Sequence, residues 1–550
     1  MTAPVLTPPA TLQAEPAVAG LAIARALARI EARRLLWSPG MLVALALTCG
    51  LVGPWSFWPE VRDLRLQAAG SPFNLYLIAA ATLVLTNVAT LRGRRHNTEP
   101  LFQATPAPPQ ARTAAHLLSA VGPAMLSVVL VAGLIAAVWL LPDGFGRPDG
   151  ADLAVGPLFV LGAGALGVLL ARWIPSSVVA PVACVAIAAH ELYFNNRDVV
   201  GSMRRLGYWV GAGELPPELL PGRLTRWHLI YLAGLLAMAA VGALVAHGLN
   251  RRLVVAGTTA ILVVATSAWF QARPNPTEGW SARNALLERP QDHQVCEDRP
   301  GARFCAYPAY RSLVDYWARP VDGVRRVVPA VAWPAGLEVS QRVAANDRQY
   351  VTGTGLSATV AVLPAIDDPL PDDGSLHPPI LWDTTGRAEL GLALLAAARV
   401  VDLPLVPSSP EIRCDAAGQS RAVIALWLAG QASPATGAAL RRLAHEGVLD
   451  LGGRPYMVMP DWGTPGTIAW GADEVGHALG LLRRPAAEVR TAIARDWSRL
   501  VDPRTPTSEA TALLGLPAEP KAGVGPARSR FVGFGALDSG PVPELGDRCA

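Results

Sequence analysis

Seven stretches of this chain are apolar for close to 20 residues each: roughly 39–57, 72–91, 115–140, 152–171, 176–192, 227–247 and 252–270. A helix of that length crosses a hydrocarbon core of about 30 Å. Lipid offers backbone groups no water to bond, so open-ended spans in it are helices. All seven runs fall before residue 271 of 550, and only 16% of the chain is charged, against about 25% for soluble proteins. A mean hydropathy of +0.31 excludes a wholly soluble chain and a disordered one. The net charge of +4 is too small at this length to imply a nucleic-acid partner. Lys521 is the only lysine, which reads as the codon bias of a GC-rich genome. The first run starts too far from Met1, and is too long, for a cleaved signal, so it is expected to stay in the mature chain.

Arginine placement sets the expected orientation. With the N-terminus inside, cytoplasmic segments carry Arg25, Arg29, Arg33 and Arg34, then Arg92, Arg94, Arg95 and Arg112, then Arg172, Arg251 and Arg252. Short outer loops hold only Arg62, Arg65 and Arg147, the inside bias expected of cytoplasmic loops. The connection 193–226 runs against it, with Arg197, Arg204, Arg205, Arg223 and Arg226 outside, and is read as protein-packed half-helices. Trp55, Trp58, Tyr193 and Phe194 suit an outer aromatic belt. An odd span count puts residues 271–550 outside.

Before the first span, LAIARALARIEARRLLW (21–37) sets Leu21, Ile23, Leu27, Ile30 and Leu35 at helical spacing among arginines. That is an amphipathic helix for the inner membrane surface. The 92–118 connection is basic, then helix-like over 99–103, then Pro-rich. An in-plane helix ending in Ser38-Pro39-Gly40, followed by T-E-P-L-F-x-A-T-P-x-P-P-x-x-R-T, resembles the permease subunit of ABC-2-type exporters. The resemblance covers about residues 20–250 and six spans; the span at 252–270 departs from it. It implies a connecting helix containing Arg29, Glu31, Arg33 and Arg34. It also implies a coupling helix that enters a separate ATPase, with Thr98, Glu99, Leu101, Phe102 and Thr105 at the matching positions. The implied setting is a bacterial plasma membrane.

No G-x-x-x-x-G-K-[ST] loop occurs in the chain, so ATP and Mg²⁺ would be bound by the partner ATPase, with no cofactor on this chain. Nor do the spans carry the mid-membrane carboxylates of an ion-driven carrier; Glu191 sits at a span's outer end. Thr86 and Asn87, polar within the second span, either line a pathway or join helices.

Residues 271–550 suffice for one large or two small domains. Four cysteines fall there, Cys296, Cys305, Cys414 and Cys549, an even set that fits two disulfides on an oxidising side. Three pairings are possible, and the local Cys296–Cys305 bond, leaving Cys414–Cys549, is favoured. Strands are predicted at 324–333 and 358–366, and helices at 389–401, 421–430, 436–447, 473–482 and 486–501. The tail 515–545 is rich in Pro and Gly. Asp473-Glu474-Val475-Gly476-His477 is close to the H-E-x-x-H helix of zinc peptidases, in which two histidines one turn apart hold the metal. Here Asp473 replaces the first histidine and Arg483 stands where an extended motif has its third ligand. The alternative is a plain helix start with Asp473 as its cap. The remaining histidines show no metal spacing, and Asp367, Asp368, Asp372 and Asp373 lack calcium-loop spacing.

The expected fold is a polytopic α-helical membrane domain with an exterior mixed α/β domain. Its parts are a cytoplasmic N-terminus (1–37), an ABC-2-type transmembrane domain (38–250), a seventh helix (251–270) and the exterior domain (271–550). The expected function is a non-enzymatic exporter permease for a peptide-like or hydrophobic compound. It would sit in lipid beside a cytoplasmic ATPase and a second permease copy. Its rivals are a membrane-anchored zinc hydrolase and a non-transporting sensor or scaffold.

Overall fold

In the computed structural model of the chain the described residues are 16–52, 64–98, 108–141, 144–195, 225–272, 289–341, 349–352, 359–362, 374–378, 382, 385–404, 412–446, 448–451, 453–457, 468–520, 523–527 and 544–549. Helices form over the apolar runs. Five are long and apolar enough to cross a membrane: Tyr76–Arg95, Pro109–Leu140, Gly150–Trp173, Arg226–Val245 and Arg251–Gln271. Two shorter apolar helices, Pro39–Gly50 and Val179–Glu191, lie on the first and fifth runs.

The amphipathic segment is α1 (Pro16–Leu36). Ser38 caps α2 (Pro39–Leu47) by accepting from the Met41 amide at 3.3 Å, and Pro39 costs nothing at N1 because its missing N–H would have no partner. An unforeseen helix, α3 (Leu64–Asn74), takes in the first residues of the second run, and the chain restarts after Leu75 as α4 (Tyr76–Arg95), so the span expected over 72–91 is broken near its start. Arg92, Arg94 and Arg95 in its last turn suit the negative end of the helix dipole, and Asn97 stops it in the left-handed region at φ 52°. The third run is two helices, α5 (Pro109–Ser119) and α6 (Val121–Leu140), joined at Ala120. Then come α7 (Gly150–Trp173), started by Asp149 accepting from the Ala151 amide at 2.9 Å, α8 (Val179–Asn195), α9 (Thr225–Val245) and α10 (Arg251–Ala272).

Side-chain contacts fix which helix ends meet. At one end Glu31 of α1 pairs with Arg92 of α4 at 3.3 Å, and Thr113 of α5 meets His247, beyond α9, at 2.7 Å. There too Trp173 of α7 donates to the Gly242 carbonyl of α9 at 2.9 Å. At the other end Trp227 of α9 stacks on Phe270 of α10 with ring centroids 4.4 Å apart, and His228 meets Gln271 at 3.0 Å. Exposed tryptophans mark both levels, Trp37 and Trp173 at the arginine-rich end and Trp139 and Trp269 at the opposite one. Arg251 and Trp269 are about 27 Å apart at 1.5 Å per residue, close to the hydrocarbon thickness. The belt expected at Trp55 and Trp58, and most of 193–226, fall outside the described residues.

The C-terminal part begins with β1 (Val295–Arg299) and β2 (Ala302–Ala306), followed by α11 (Val314–Val327) and β3 (Glu338–Ser340); β2 lies between β1 and β3. A two-stranded ribbon, β4 (Gln349–Thr352) with β5 (Thr359–Val362), follows. After α12 (Arg387–Val400), strand β6 (Ile412–Asp415) leads to α13 (Ser420–Gln431) and α14 (Pro434–Glu446). The hairpin β7 (Val448–Leu451)–β8 (Arg454–Met457) then runs to β9 (Ile468–Gly471). Helices α15 (Ala472–Leu481), α16 (Ala486–Arg495), α17 (Trp497–Leu500) and α18 (Thr507–Leu514) precede β10 (Glu544–Arg548). The five-stranded sheet has the order β10-β6-β9-β8-β7, parallel across its first three strands and antiparallel beyond. The strand expected at 324–333 is corrected: its first residues are the last turn of α11, and Ala330–Ala332 form a 3-10 turn.

One contiguous core joins residues 302 to 549, with Trp317 and Trp427 at its centre. Phe145, from the connection between α6 and α7, is only 4% exposed and belongs to that core. The C-terminal part is therefore seated at the end of the bundle opposite the arginines.

Candidate functional site

Five of the predicted site residues, Arg29, Glu31, Arg33, Arg34 and Thr98, lie at the arginine-rich end. Helix α1 lies along α5, and its inward face is built from small residues: Ala24 and Ala28 are buried, as is Leu35. Small residues let two backbones approach closely. On α6, a Cβ at Gly122 would meet Ala32 at 3.2 Å, which measures how tight the joint is. Leu21 and Ile30 point outward, as an in-plane helix presents side chains to lipid.

Glu31 turns into the joint, its side chain 15% exposed, between Arg34 at 3.0 Å and Arg92 at 3.3 Å. Among the four residues expected on a connecting helix, Glu31 pairs with another helix, while Arg29, Arg33 and Arg34 are exposed. Arg112, Arg172 and Arg92 all lie within electrostatic reach of His116 on α5. Thr98 finishes α4, its amide bonding the Gly93 carbonyl at 2.9 Å and its hydroxyl the same oxygen at 3.3 Å. Glu99, Leu101, Phe102 and Thr105 lie outside the described residues. Both ends of their loop, Thr98 and Pro108, are nevertheless fixed at this end of the bundle.

Thr86 and Asn87 are placed in the α4–α7 seam. The Thr86 hydroxyl reaches the Gly164 carbonyl at 3.0 Å and the Asn87 amide donates to the Gly167 carbonyl at 3.3 Å. Both side chains join helices. Beside the seam, α4, α7, α8 and α9 border a half-open apolar cavity of about 240 Å³, lined by Tyr76, Leu83, Phe159, Gly162, Ile187 and Met238 among others. Nothing in the periodicity of any one helix marks it, because four helices make it together; the clustered small residues Ala79, Ala80, Gly162 and Ala163 are its only sequence signal.

In the C-terminal part, Cys296 bonds Cys305 across the β1–β2 pair, and Cys414 bonds Cys549, tying β10 to β6. Gly471, not Asp473, occupies the cap position of α15. Glu474 is 3% exposed and its carboxylate accepts from the Gly418 amide at 3.0 Å and the Thr507 hydroxyl at 2.5 Å. Burial raises its pKa against the pull of those donors. His477, also 3% exposed, has its pKa lowered by burial, with Asp473 opposing. Among the described residues no three His, Cys, Asp or Glu side chains are grouped to hold a metal. Glu474 serves as a clamp joining the β6–α13 turn, α15 and α18.

No motif or spacing marks Arg421 as a functional or structural centre. It is 0% exposed, and its guanidinium donates to the Gln419 side chain and to the carbonyls of Asp402 and Cys549. No protein family, curated protein or solved structure matches this chain.

Proposed function

We propose that the chain is the membrane-embedded permease subunit of an exporter powered by a separate ATPase, with the C-terminal domain on the far side of the membrane. The observation that supports it best is the joint at the arginine-rich end. There α1 is bound to α5 and to the end of α4 through Glu31 and Arg92, and the 99–107 loop leaves and returns beside it. A force on that loop would be transmitted to α1, α4 and α5 together, as coupling to a cytoplasmic engine requires. The cytoplasmic side is taken from the arginines of this end. Seven crossings, counting the two shorter apolar helices, then carry the chain out to its disulfide-bonded domain. ATP and Mg²⁺ belong to the partner, and two ATPases closing on two nucleotides call for a second permease copy.

Purification of tagged full-length protein from its native membrane, after mild cross-linking, tests this. An ABC-type ATPase should accompany the wild type and be lost from the Glu99→Arg/Phe102→Ala double variant, which should still insert at normal abundance. Wild-type protein that brings down no ATPase would overturn the assignment.

A further inference from the structure

The cavity among α4, α7, α8 and α9 has a shape and a chemistry that the transport reading does not by itself supply. Its two polar-bearing side chains are occupied: Tyr76 donates to the Cys184 carbonyl at 2.7 Å, and the Cys184 thiol lies 3.7 Å from the Ala80 carbonyl. The rest of the lining is aliphatic or aromatic carbon. Such a space gives water no partners and stays dry, while leaving it empty forfeits the dispersion contacts of every lining atom.

Its borders run from Tyr76 to Leu83 on α4 and from Leu158 to Leu169 on α7. At 1.5 Å per residue these stretches are about 10 and 16 Å long, so the space is elongated along the membrane normal. Dividing about 240 Å³ by the ~30 Å³ that one water takes in the liquid, about the size of a methylene, leaves room for roughly eight methylenes. It lies between the two tryptophan levels, at the depth where acyl chains are the surrounding solvent. Length, volume, dryness and depth agree on one occupant.

We propose that this cavity binds a single hydrocarbon chain of about eight carbons, taken from the bilayer side. The chain belongs either to a membrane lipid or to an amphiphilic cargo; the second source rests on the permease reading, the binding does not. Gly162 offers the means to test it, because a Cβ there meets nothing within 4 Å, so a larger side chain grows into the cavity without striking its walls at the first atom. Gly133 on α6 has equally open space but does not border the cavity.

Full-length protein in phospholipid nanodiscs would be photolabelled with a diazirine-bearing octyl chain, carried in one arm by phosphatidylglycerol and in the other by a single-chain maltoside. Labels should concentrate on Leu235, Met238 and Ile187. They should fall about tenfold there in Gly162→Phe and stay unchanged in Gly133→Phe. Melting of Gly162→Phe in the same nanodiscs reports its folding, and Ala80→Leu fills the cavity from α4 should that variant be lost. Concentrated labelling in the lipid arm alone identifies a lipid tail; labelling by the maltoside that unlabelled alkyl maltoside competes away identifies a cargo chain. Labelling spread over lipid-facing Val128 and Val129, or unaltered by both fillers, overturns the proposal. Loss of the ATPase partner with labelling intact would sink the permease reading and leave the cavity site standing.

Discussion

Arg421 shows how much one buried charge can organise. Its fork reaches three oxygens on three separate segments, and burial pulls its pKa down, so the charge is held against its desolvation by those acceptors and by nearby Asp402. Arg421→Leu would remove the charge but strand the Asp402 carbonyl and the Gln419 Oε1, while the Cys549 carbonyl keeps the Gln419 amide. A loss of about 1–3 kcal/mol is expected, read by denaturant unfolding of the full chain in detergent. Arg421→Lys should recover little, because an ammonium cannot reproduce the fork. A lysine variant as stable as wild type would refute the multi-point clamp.

Glu474 and His477 predict opposite pH responses within one helix. The folded pKa of Glu474 is raised, so its contribution is complete below the unfolded carboxylate value and is lost as pH rises through the folded one. Glu474→Gln keeps an acceptor for Gly418 and Thr507 without the charge, and should flatten the fall in melting temperature from acid toward neutral pH. The folded pKa of His477 is lowered, so its contribution is present above the unfolded value near 6.5 and is lost as pH falls through that value toward the folded one. His477→Phe should therefore flatten the acid side instead. Parallel melting profiles for wild type and both variants would refute burial as the cause.

At the scale of elements, the α4–α7 seam depends on having no side chain at two positions. A Cβ at Gly167 would come within 2.3 Å of both the Leu83 carbonyl and the Thr86 hydroxyl, and one at Gly164 would meet Thr82 of α4 at 3.2 Å as well as Ala120, between α5 and α6, at 2.4 Å. Gly167→Ala should force the helices apart and cost about 1–3 kcal/mol, lowering the melting temperature in detergent, while Gly162→Ala should cost far less. Equal melting of the two variants would show that the seam is not tight.

The helices around this seam were legible in the sequence because each is an unbroken apolar run bounded by arginine, Gly or Pro. α3 was not, since the stretch 64–70 mixes polar with apolar residues, and its end from Pro72 is read from sequence as the start of the second span. The segment 324–333 was misread for a different reason. Val314, Trp317, Val321 and Val324 are buried at helical spacing, but a window opening at Val324 sees only a β-branched cluster before Pro329. The pairing of Glu31 with Arg92, sixty-one residues apart, and the meeting of Glu474 with Gly418 and Thr507 leave no local trace at all. The pattern of a single segment records which face is apolar, not what comes to cover it.

For the whole molecule, the two disulfides and Phe145 bear on one question, which side of the membrane the C-terminal half occupies. Cys414 and Cys549 are 135 residues apart in sequence and Cys296 and Cys305 only 9, so chain entropy assigns the long bridge about 5 kcal/mol and the short one about 3. Stabilisation of that size is available only where thiols stay oxidised. A core that also takes in Phe145 binds this domain to the bundle end away from the arginines. An alkaline phosphatase reporter, active only outside the cytosol, should therefore be active when fused after residue 550 and silent when fused after Asn250, with a fluorescent reporter that matures only inside giving the reverse. Cys414→Ser/Cys549→Ser should lower the melting temperature more than Cys296→Ser/Cys305→Ser. If the phosphatase is silent at both sites, α10 does not carry the chain across, and the C-terminal domain lies in the reducing compartment on the same side as Arg251 and Arg252.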